Sequence, residues 1–357
     1  MNAMFAYTDP ISPFPAKIAL EESQQLVVKL NKFCYSPYET LEYSMTIIGL
    51  SKGQEMELAT DFEITPGLPE LEGHVDTESR SLTYGPVFDT IPSYSVFPMG
   101  LVYDHNTPVT HVVHLERSFW LPASGVDVVQ TEEYYEILNK GAELKTGYSR
   151  SDWMKGRFDI RKDHHALSQL EFPIDTKAPY NDYYVTDKVG MVTTHQVTHG
   201  HLVVQPRFPL FGGWRYNFTL GWSNSLETFV RKVTNEPDTY VASFSLLNSL
   251  RNVHYDKVYV NFYLPENAEY LNASALQTPQ NIQVGSELSY LDVAEGHVKV
   301  TLEFSNLIDG LADTKVLIKY RYSAASYWRK VAKIAGFVFV GLMSYYVLGL
   351  IDISIQK

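Results

Sequence analysis

HVKVTLEF, His297–Phe304, alternates apolar and polar side chains without a break. On an extended chain Val298, Val300, Leu302 and Phe304 fall on one face, because successive strand side chains point to opposite sides. KVYVNFYL (Lys257–Leu264) has the same period through Val258, Val260, Phe262 and Leu264, and KVLIKYRY (Lys315–Tyr322) has it through Val316, Ile318, Tyr320 and Tyr322. LVVKLNKF, Leu26–Phe33, is similar. EEYYEILNK (Glu132–Lys140) has the propensity of a short helix, but its neighbours read as strand, and strand is expected there too. Ser124-Gly125 marks a hairpin corner between RSFWL and VDVVQ.

Prolines and Asn/Asp clusters punctuate the chain, long amphipathic helices are scarce, and there is no internal repeat. The expected fold class is all-β, with two tandem antiparallel β-sandwich domains followed by one C-terminal helix. The polar, turn-rich DHNTPVT (Asp104–Thr110) sets a soft border between a first domain at 1–106 and a second at 107–325.

The composition fits real cores. Hydrophobic residues make up 45% and charged residues 20%, and 25 Tyr with 18 Phe favour pleated faces. The net charge of −12 argues against nucleic acid, whose phosphates need clustered cations. Its plain reading is solubility. A single cysteine, Cys34, excludes an internal disulfide. It sits in KFCYSPY with no neighbouring histidine, and a buried apolar thiol is expected rather than a nucleophile.

Lys333–Ile351, KIAGFVFVGLMSYYVLGLI, carries no charge after Lys333. Its 18 residues from Ile334 make a helix of about 27 Å, close to the roughly 30 Å hydrocarbon core of a bilayer. Tyr327 and Trp328 stand where interfacial aromatics belong, and Lys333 can snorkel. Gly336, Gly341 and Gly349 leave thin places for another helix. A span over 331–352 with a short tail at 353–357 is expected. Arg321, Arg329, Lys330 and Lys333 before the span, against Lys357 after it, place the body in the cytosol by the positive-inside bias. The opening MNAMFAYTDPISPFP has no signal-peptide pattern and agrees with that. Two N-glycan sequons, at Asn217 (Asn-Phe-Thr) and Asn272 (Asn-Ala-Ser), point to the lumen instead.

No phosphate loop, dinucleotide fingerprint, nucleophile elbow or HExxH pattern occurs. His195, His199 and His201 in HQVTHGH would share a face if all three lay on one strand, an arrangement that suits zinc, but Gly200 interrupts them. Exposed polar histidines are the plainer reading. His111 and His114 face opposite ways on a strand, and His164-His165 names no chemistry. No catalytic, cofactor-binding or metal-binding residue is assigned.

PRFPLFGGWRYNFTLGW, Pro206–Trp222, reads as a corner. Two prolines restrict the chain, Gly212-Gly213 permits a tight bend, and Trp214 is expected back against a sheet. Alternation then resumes, with Tyr216, Phe218 and Leu220 inward and Asn217 and Thr219 outward.

FCYSPY (33–38), YGPVFDTIPSYS (84–95), NKGAELKTGYSRSDW (139–153), DYYVTDKVGMVTTH (182–195) and PRFPLFGGW (206–214), with the tail IDISIQK (351–357), together resemble the ribophorin I family of oligosaccharyltransferase subunits. The resemblance implies two tandem β domains in the endoplasmic reticulum lumen, similar to the N-terminal domain of certain aminopeptidases without their active site, one span and a short cytosolic tail. It implies an accessory, non-catalytic role in a complex that transfers a preassembled glycan from a dolichol carrier to Asn of Asn-X-Ser/Thr. The implied partners are a many-span catalytic subunit, a small membrane subunit, translocating acceptor polypeptides and membrane lipid, with no cofactor. Against that family the chain begins inside the first β domain and ends just after the span, so an incomplete first domain is expected. The resemblance also reverses the topology read from charge. Two other readings stay open: a tail-anchored cytosolic adaptor, and a membrane-tethered zinc hydrolase.

Overall fold

A computed structural model describes residues 7, 10–49, 53–58, 63–76, 78, 80–123, 125–156, 164–248, 250–288, 292 and 296–350. Strands take 49% of the chain and helix 13%, and one terminal helix supplies most of the latter, so the body is all-β as expected. The tail at 351–357 and Ser124 lie outside the described residues.

The chain groups into two compact units, each assembled from separate stretches. The first comprises Met1–His111, Ile137–Gln169 and Phe208–Tyr216, and the second Val112–Glu136, Leu170–Arg207 and Asn217–Lys357. The first unit therefore extends past the border expected at 106/107, because the chain returns to it twice.

In the first unit, a four-stranded sheet runs in the order Ile11–Pro13, Gln25–Asn31, Pro98–Asp104, Gln54–Glu57. A three-stranded sheet runs Tyr43–Ile48, Ser81–Val87, Gly73–Asp76. Leu82 and Tyr84 from one sheet meet Met99 and Leu101 from the other, with Phe33, Leu71 and Ile91 closing the core. That shared core makes the pair a sandwich. Cys34, next to Phe33, is exposed. The expectation of a buried thiol fails because Phe33 takes the inward position.

An eight-stranded sheet, most of whose residues belong to the second unit, has the order Gly190–Met191, Asn181–Asp187, Arg215–Ser225, Val128–Asn139, Thr110–Trp120, Val253–Leu264, His297–Ile308, Asn281–Glu287. HVKVTLEF and KVYVNFYL are partners in it: Val258 lies opposite Phe304, Val260 opposite Leu302, Phe262 opposite Val300 and Leu264 opposite Val298. Val258, Val260, Phe262, Leu264, Val300 and Leu302 are fully buried. Burying each such side chain is worth roughly 1.5–3 kcal/mol. A four-stranded sheet runs Val230–Lys232, Thr239–Ser245, Lys315–Arg321, Glu269–Ala275. Phe244 of that sheet stacks on Phe119 of the large sheet at 4.1 Å and lies 5.8 Å from Phe262, so the two layers share a core. A small sheet of Leu170–Pro173, His201–Val204 and His195–Thr198 adds Phe172 to the stacked pair Tyr135–Phe218.

Glu132–Asn139 lies within the Val128–Asn139 strand, where every second residue from Val129 to Asn139 is buried. That alternation, with cross-strand packing on both sides, overrides its helical propensity.

Two residues, Tyr322 and Ser323, separate the Lys315–Arg321 strand from the C-terminal helix, Ala324–Leu350. Ser323 caps it, its Oγ accepting from the Ser326 N–H at 3.2 Å. The helix is long and apolar enough to cross a membrane, and none of its side chains is buried in the body.

Candidate functional site

The first candidate is the PRFPLFGGW corner. The Trp214 N–H donates to the Phe211 carbonyl at 3.0 Å, closing a turn over Gly212-Gly213 with Gly213 at φ +80°. Gly212 is there for space as well. A Cβ on it would lie 2.2 Å from the Gly141 carbonyl oxygen and 2.3 Å from that of Ala142, both main chain. Asn139 holds the corner from inside. Its Nδ2 donates to the His165 and Leu210 carbonyls, both at 2.9 Å, and its Oδ1 accepts from Gly141 N at 2.9 Å and Val109 N at 3.3 Å. All four of the amide's bonding positions are thus filled in a fully buried site. Phe211 is fully buried against Trp153, His164 and His165. Trp214 is only partly buried. It packs edge-on against Phe211, Tyr148 and Phe208, at 5.5, 5.6 and 5.8 Å, and with Tyr148, Phe208 and Arg215 it lines an open cleft.

The HQVTHGH histidines are not brought together on one face. His195 starts one strand and His201 starts the next, with His199 (φ 51°) and Gly200 (φ 77°) forming the turn between them. The Nδ1 atoms of His195 and His201 bond to the backbone carbonyls of Val192 and His199, at 2.5 and 3.1 Å. His114 packs on Tyr259. His164 and His165 stack at 4.3 Å in the first unit. His165 is buried, neither ring nitrogen has a hydrogen-bond partner, and burial with the neighbouring His164 pushes its pKa down to about 4.

The second candidate is a buried polar network in the second unit. Arg117 Nε donates to Glu133 Oε1 at 2.6 Å, and a guanidinium N–H donates to the Ser245 carbonyl. The Glu133 Oε2 accepts from Tyr135 at 2.7 Å and Asn248 at 2.9 Å, and Tyr180 donates to the Asn248 Oδ1 at 3.1 Å. Glu133 has no exposed surface and Arg117 almost none. Both Glu133 oxygens are bonded and faced by a cation, which is what permits a carboxylate there. The network is closed by its own members, so it reads as structural. Sequence reasoning missed it, because its members come from residues 117, 133, 180 and 248 and no local pattern joins them.

The third candidate is the root of the terminal helix. Lys330 Nζ lies 3.1 Å from Glu266 and 2.8 Å from Asp292, two carboxylates with almost no exposed surface. His297 Nε2 lies 3.5 Å from Asp292, while its Nδ1 bonds the Leu264 carbonyl at 2.7 Å. Arg321 pairs with Glu269 at 2.9 Å. Two of the four cations before the span are therefore engaged by carboxylates of the body.

The two sequons differ. Asn217, within the Arg215–Ser225 strand, is partly buried, and its Nδ2 donates to the Tyr134 hydroxyl at 3.0 Å. Tyr216, Phe218 and Leu220 on the other face are buried, as expected. Asn272 and Ser274 are exposed on the Glu269–Ala275 edge strand, at a bulge between Tyr270 and Asn272.

Subunit 1 of the dolichyl-diphosphooligosaccharide–protein glycosyltransferase of Caenorhabditis elegans is 26% identical over 306 residues, covering 84% of this chain and 48% of that protein. Subunit 1A of Arabidopsis thaliana is 25% identical over 364 residues, covering 100% and 55%. The chain thus spans about half the length of these curated relatives. Among solved structures, an M1 zinc metallopeptidase from Deinococcus radiodurans is 11% identical with a TM-score of 0.32, covering 60% of this chain and 42% of that one. A likeness that slight carries no argument about fold or chemistry. The sequence model of the Ribophorin I family matches residues 1–349, from before the first sandwich to the end of the apolar helix, and the chain belongs to the ribophorin I family.

Proposed function

We propose that this chain is a non-catalytic subunit of an oligosaccharyltransferase complex, held in the endoplasmic reticulum membrane by Ala324–Leu350 with its β body in the lumen. The observation that carries the reading is the family match over residues 1–349, which takes in both the β body and the apolar helix. The curated relatives are named as subunits of the enzyme that transfers a dolichol-linked oligosaccharide to protein. The corner and the buried network are held by internal bonds, and the histidines of HQVTHGH are split across a hairpin. The chain's role is to support assembly with a many-span catalytic subunit and a small membrane subunit, and to help present translocating acceptor polypeptides. Catalysis rests with the many-span subunit.

The test is purification of the tagged full chain from microsomes. Glycan-transfer activity towards an Asn-X-Thr peptide should co-purify with it, and a preparation free of that activity overturns the reading. Lumenal topology has its own test. Asn272 is exposed and should carry a glycan, whereas Asn217 donates its Nδ2 to Tyr134 and should not. Asn272→Gln should remove the mobility shift caused by a glycan-cleaving enzyme, and Asn217→Gln should leave it intact. The cytosolic-adaptor reading keeps the support of Arg329 and Lys333 beside the span. Digestion of the body by protease outside sealed microsomes would establish it in place of the lumenal one.

A further inference from the structure

FCYSPY (33–38) and YGPVFDTIPSYS (84–95) give only part of their side chains to the first unit's interior. Phe33, Tyr84, Ile91 and Ser95 are buried. Tyr35, Tyr38, Phe88 and Tyr94, with Leu41 in the same loop as Tyr38, are between 55% and 77% exposed. The two stretches lie side by side as an antiparallel pair. Tyr43 stands opposite Val87, Thr40 and Ile91 exchange main-chain bonds at 3.0 and 2.9 Å, and the Tyr94 N–H donates to the Ser36 carbonyl at 2.7 Å. Asn31 clamps the start of one to the end of the other. Its Nδ2 donates to the Phe33 and Ser95 carbonyls, both at 2.9 Å, and its Oδ1 accepts from Phe97 N at 2.6 Å. Tyr94 has a left-handed backbone, φ 56°, which is costly for a bulky residue, and its ring stands edge-on to Tyr35 at 5.5 Å. Exposed rings on so well-fixed a pair of loops mark an interaction surface.

The charge of that surface has one sign. Residues 33–43 and 84–96 contain Glu39, Glu42 and Asp89 and no lysine, arginine or histidine. All three carboxylates are exposed, and none pairs with a cation among the described residues. Lys32, just before the first stretch, is turned inward and held by Glu55 at 3.1 Å.

We infer that the paired loops at 34–42 and 88–94 are a docking surface for a basic segment of a different protein. Its arginines and lysines lie over the tyrosine rings and pair with Glu39, Glu42 and Asp89. Both contacts favour the same ligand, because a ring face attracts a cation and a guanidinium also forks onto a carboxylate. Charge selects this occupant over the others. Phosphates of an anionic lipid surface or a nucleic acid would meet three carboxylates. A neutral lipid surface would bury them without a counter-charge. A second copy brings the same unmatched carboxylates on this surface and a net charge of −12 overall.

The test uses the purified full chain. Cys34, the one cysteine in the sequence and exposed between Phe33 and Tyr35, takes a maleimide photo-crosslinker. The probe is a fluorescent peptide of alternating arginine and serine, set against one of alternating glutamate and serine. The arginine peptide should bind and be crosslinked at Cys34, and the glutamate peptide should do neither. Tyr38→Ala with Phe88→Ala, and separately Glu39→Gln with Asp89→Asn, should each weaken binding about tenfold. These positions are exposed, so the melting temperature should not move. Glu227→Gln with Asp313→Asn removes the same charge in the second unit and should change binding by less than about twofold, since distant exposed charges are screened. Equal binding of both peptides, no binding, a patch variant that binds like the parent, or a charge control as damaging as the patch variants overturns the proposal. So does crosslinking to a second copy alone, or adsorption to phosphatidylserine vesicles that the patch variants abolish.

Discussion

Two strands of the large sheet invert the usual rule of burial. Val128–Asn139 hides Thr131, Glu133 and Asn139 among its inward residues, while Asn281–Glu287 shows Ile282 and Val284 to solvent. Residue type does not explain the difference; surroundings do. The inner strand is flanked on both sides, and each buried polar atom of Glu133 and Asn139 meets a donor or acceptor. The outer strand has a neighbour on one side only. A polar group inside is tolerated when its bonds are complete, and an apolar group outside marks where the sheet stops short.

The comparison breaks most sharply at Glu133. Glu133→Gln leaves the Arg117 guanidinium buried without its counter-charge and should cost about 3–5 kcal/mol, read from urea unfolding. A loss below about 1 kcal/mol would mean that water reaches the pair.

His165 sharpens the same point, because it is buried without hydrogen bonds to its ring. Its folded pKa, about 4, lies below the unfolded value near 6.5, so folding favours the neutral ring. The stability it contributes is complete above pH 6.5 and is lost as pH falls from 6.5 towards 4, roughly 3 kcal/mol in all. His165→Leu should flatten that part of the stability–pH curve. Parallel curves for the two proteins would show that the proton is accommodated elsewhere.

Trp214 is the intermediate case, a large ring at a rim. Complete burial would make Trp214→Ala cost about 3–5 kcal/mol; a partly buried ring should lose about 1–2 kcal/mol. Calorimetric melting checks it. The smallest effect belongs to the outer strand: Ile282→Lys with Val284→Lys should shift stability by no more than about 0.5 kcal/mol, as surface changes do. A larger loss would show that those side chains already belong to a core.

Much of this was legible in the sequence. The period-two runs at 257–264, 297–304 and 315–322 announced strands, and all three lie in strands or run to their ends. Their pairing was not legible, since register is chosen by contacts across the sheet. The inner strand was ambiguous because its buried positions are half polar, so no apolar stripe marks it. Glu133, Arg117, Asn248 and Tyr180 meet only after folding. The split of HQVTHGH was visible in Gly200, whereas the partial exposure of Trp214 was not, because a bend can be read from glycines but not what covers the ring beyond it. Cys34 was misjudged for a related reason: composition says a lone thiol prefers burial, but the adjacent Phe33 takes the inward place.

Two residues separate the helix from its preceding strand, and Lys330 is bound to two body carboxylates within its second turn. Two residues reach about 7 Å at full stretch, too little slack for a swivel. A span adapts to bilayer thickness by tilting. The short connection and the Lys330 ion pairs tie the root of the helix to the body and limit its freedom to change tilt there. The helix and the strand before it are thus coupled as a stiff arm rather than a swivel.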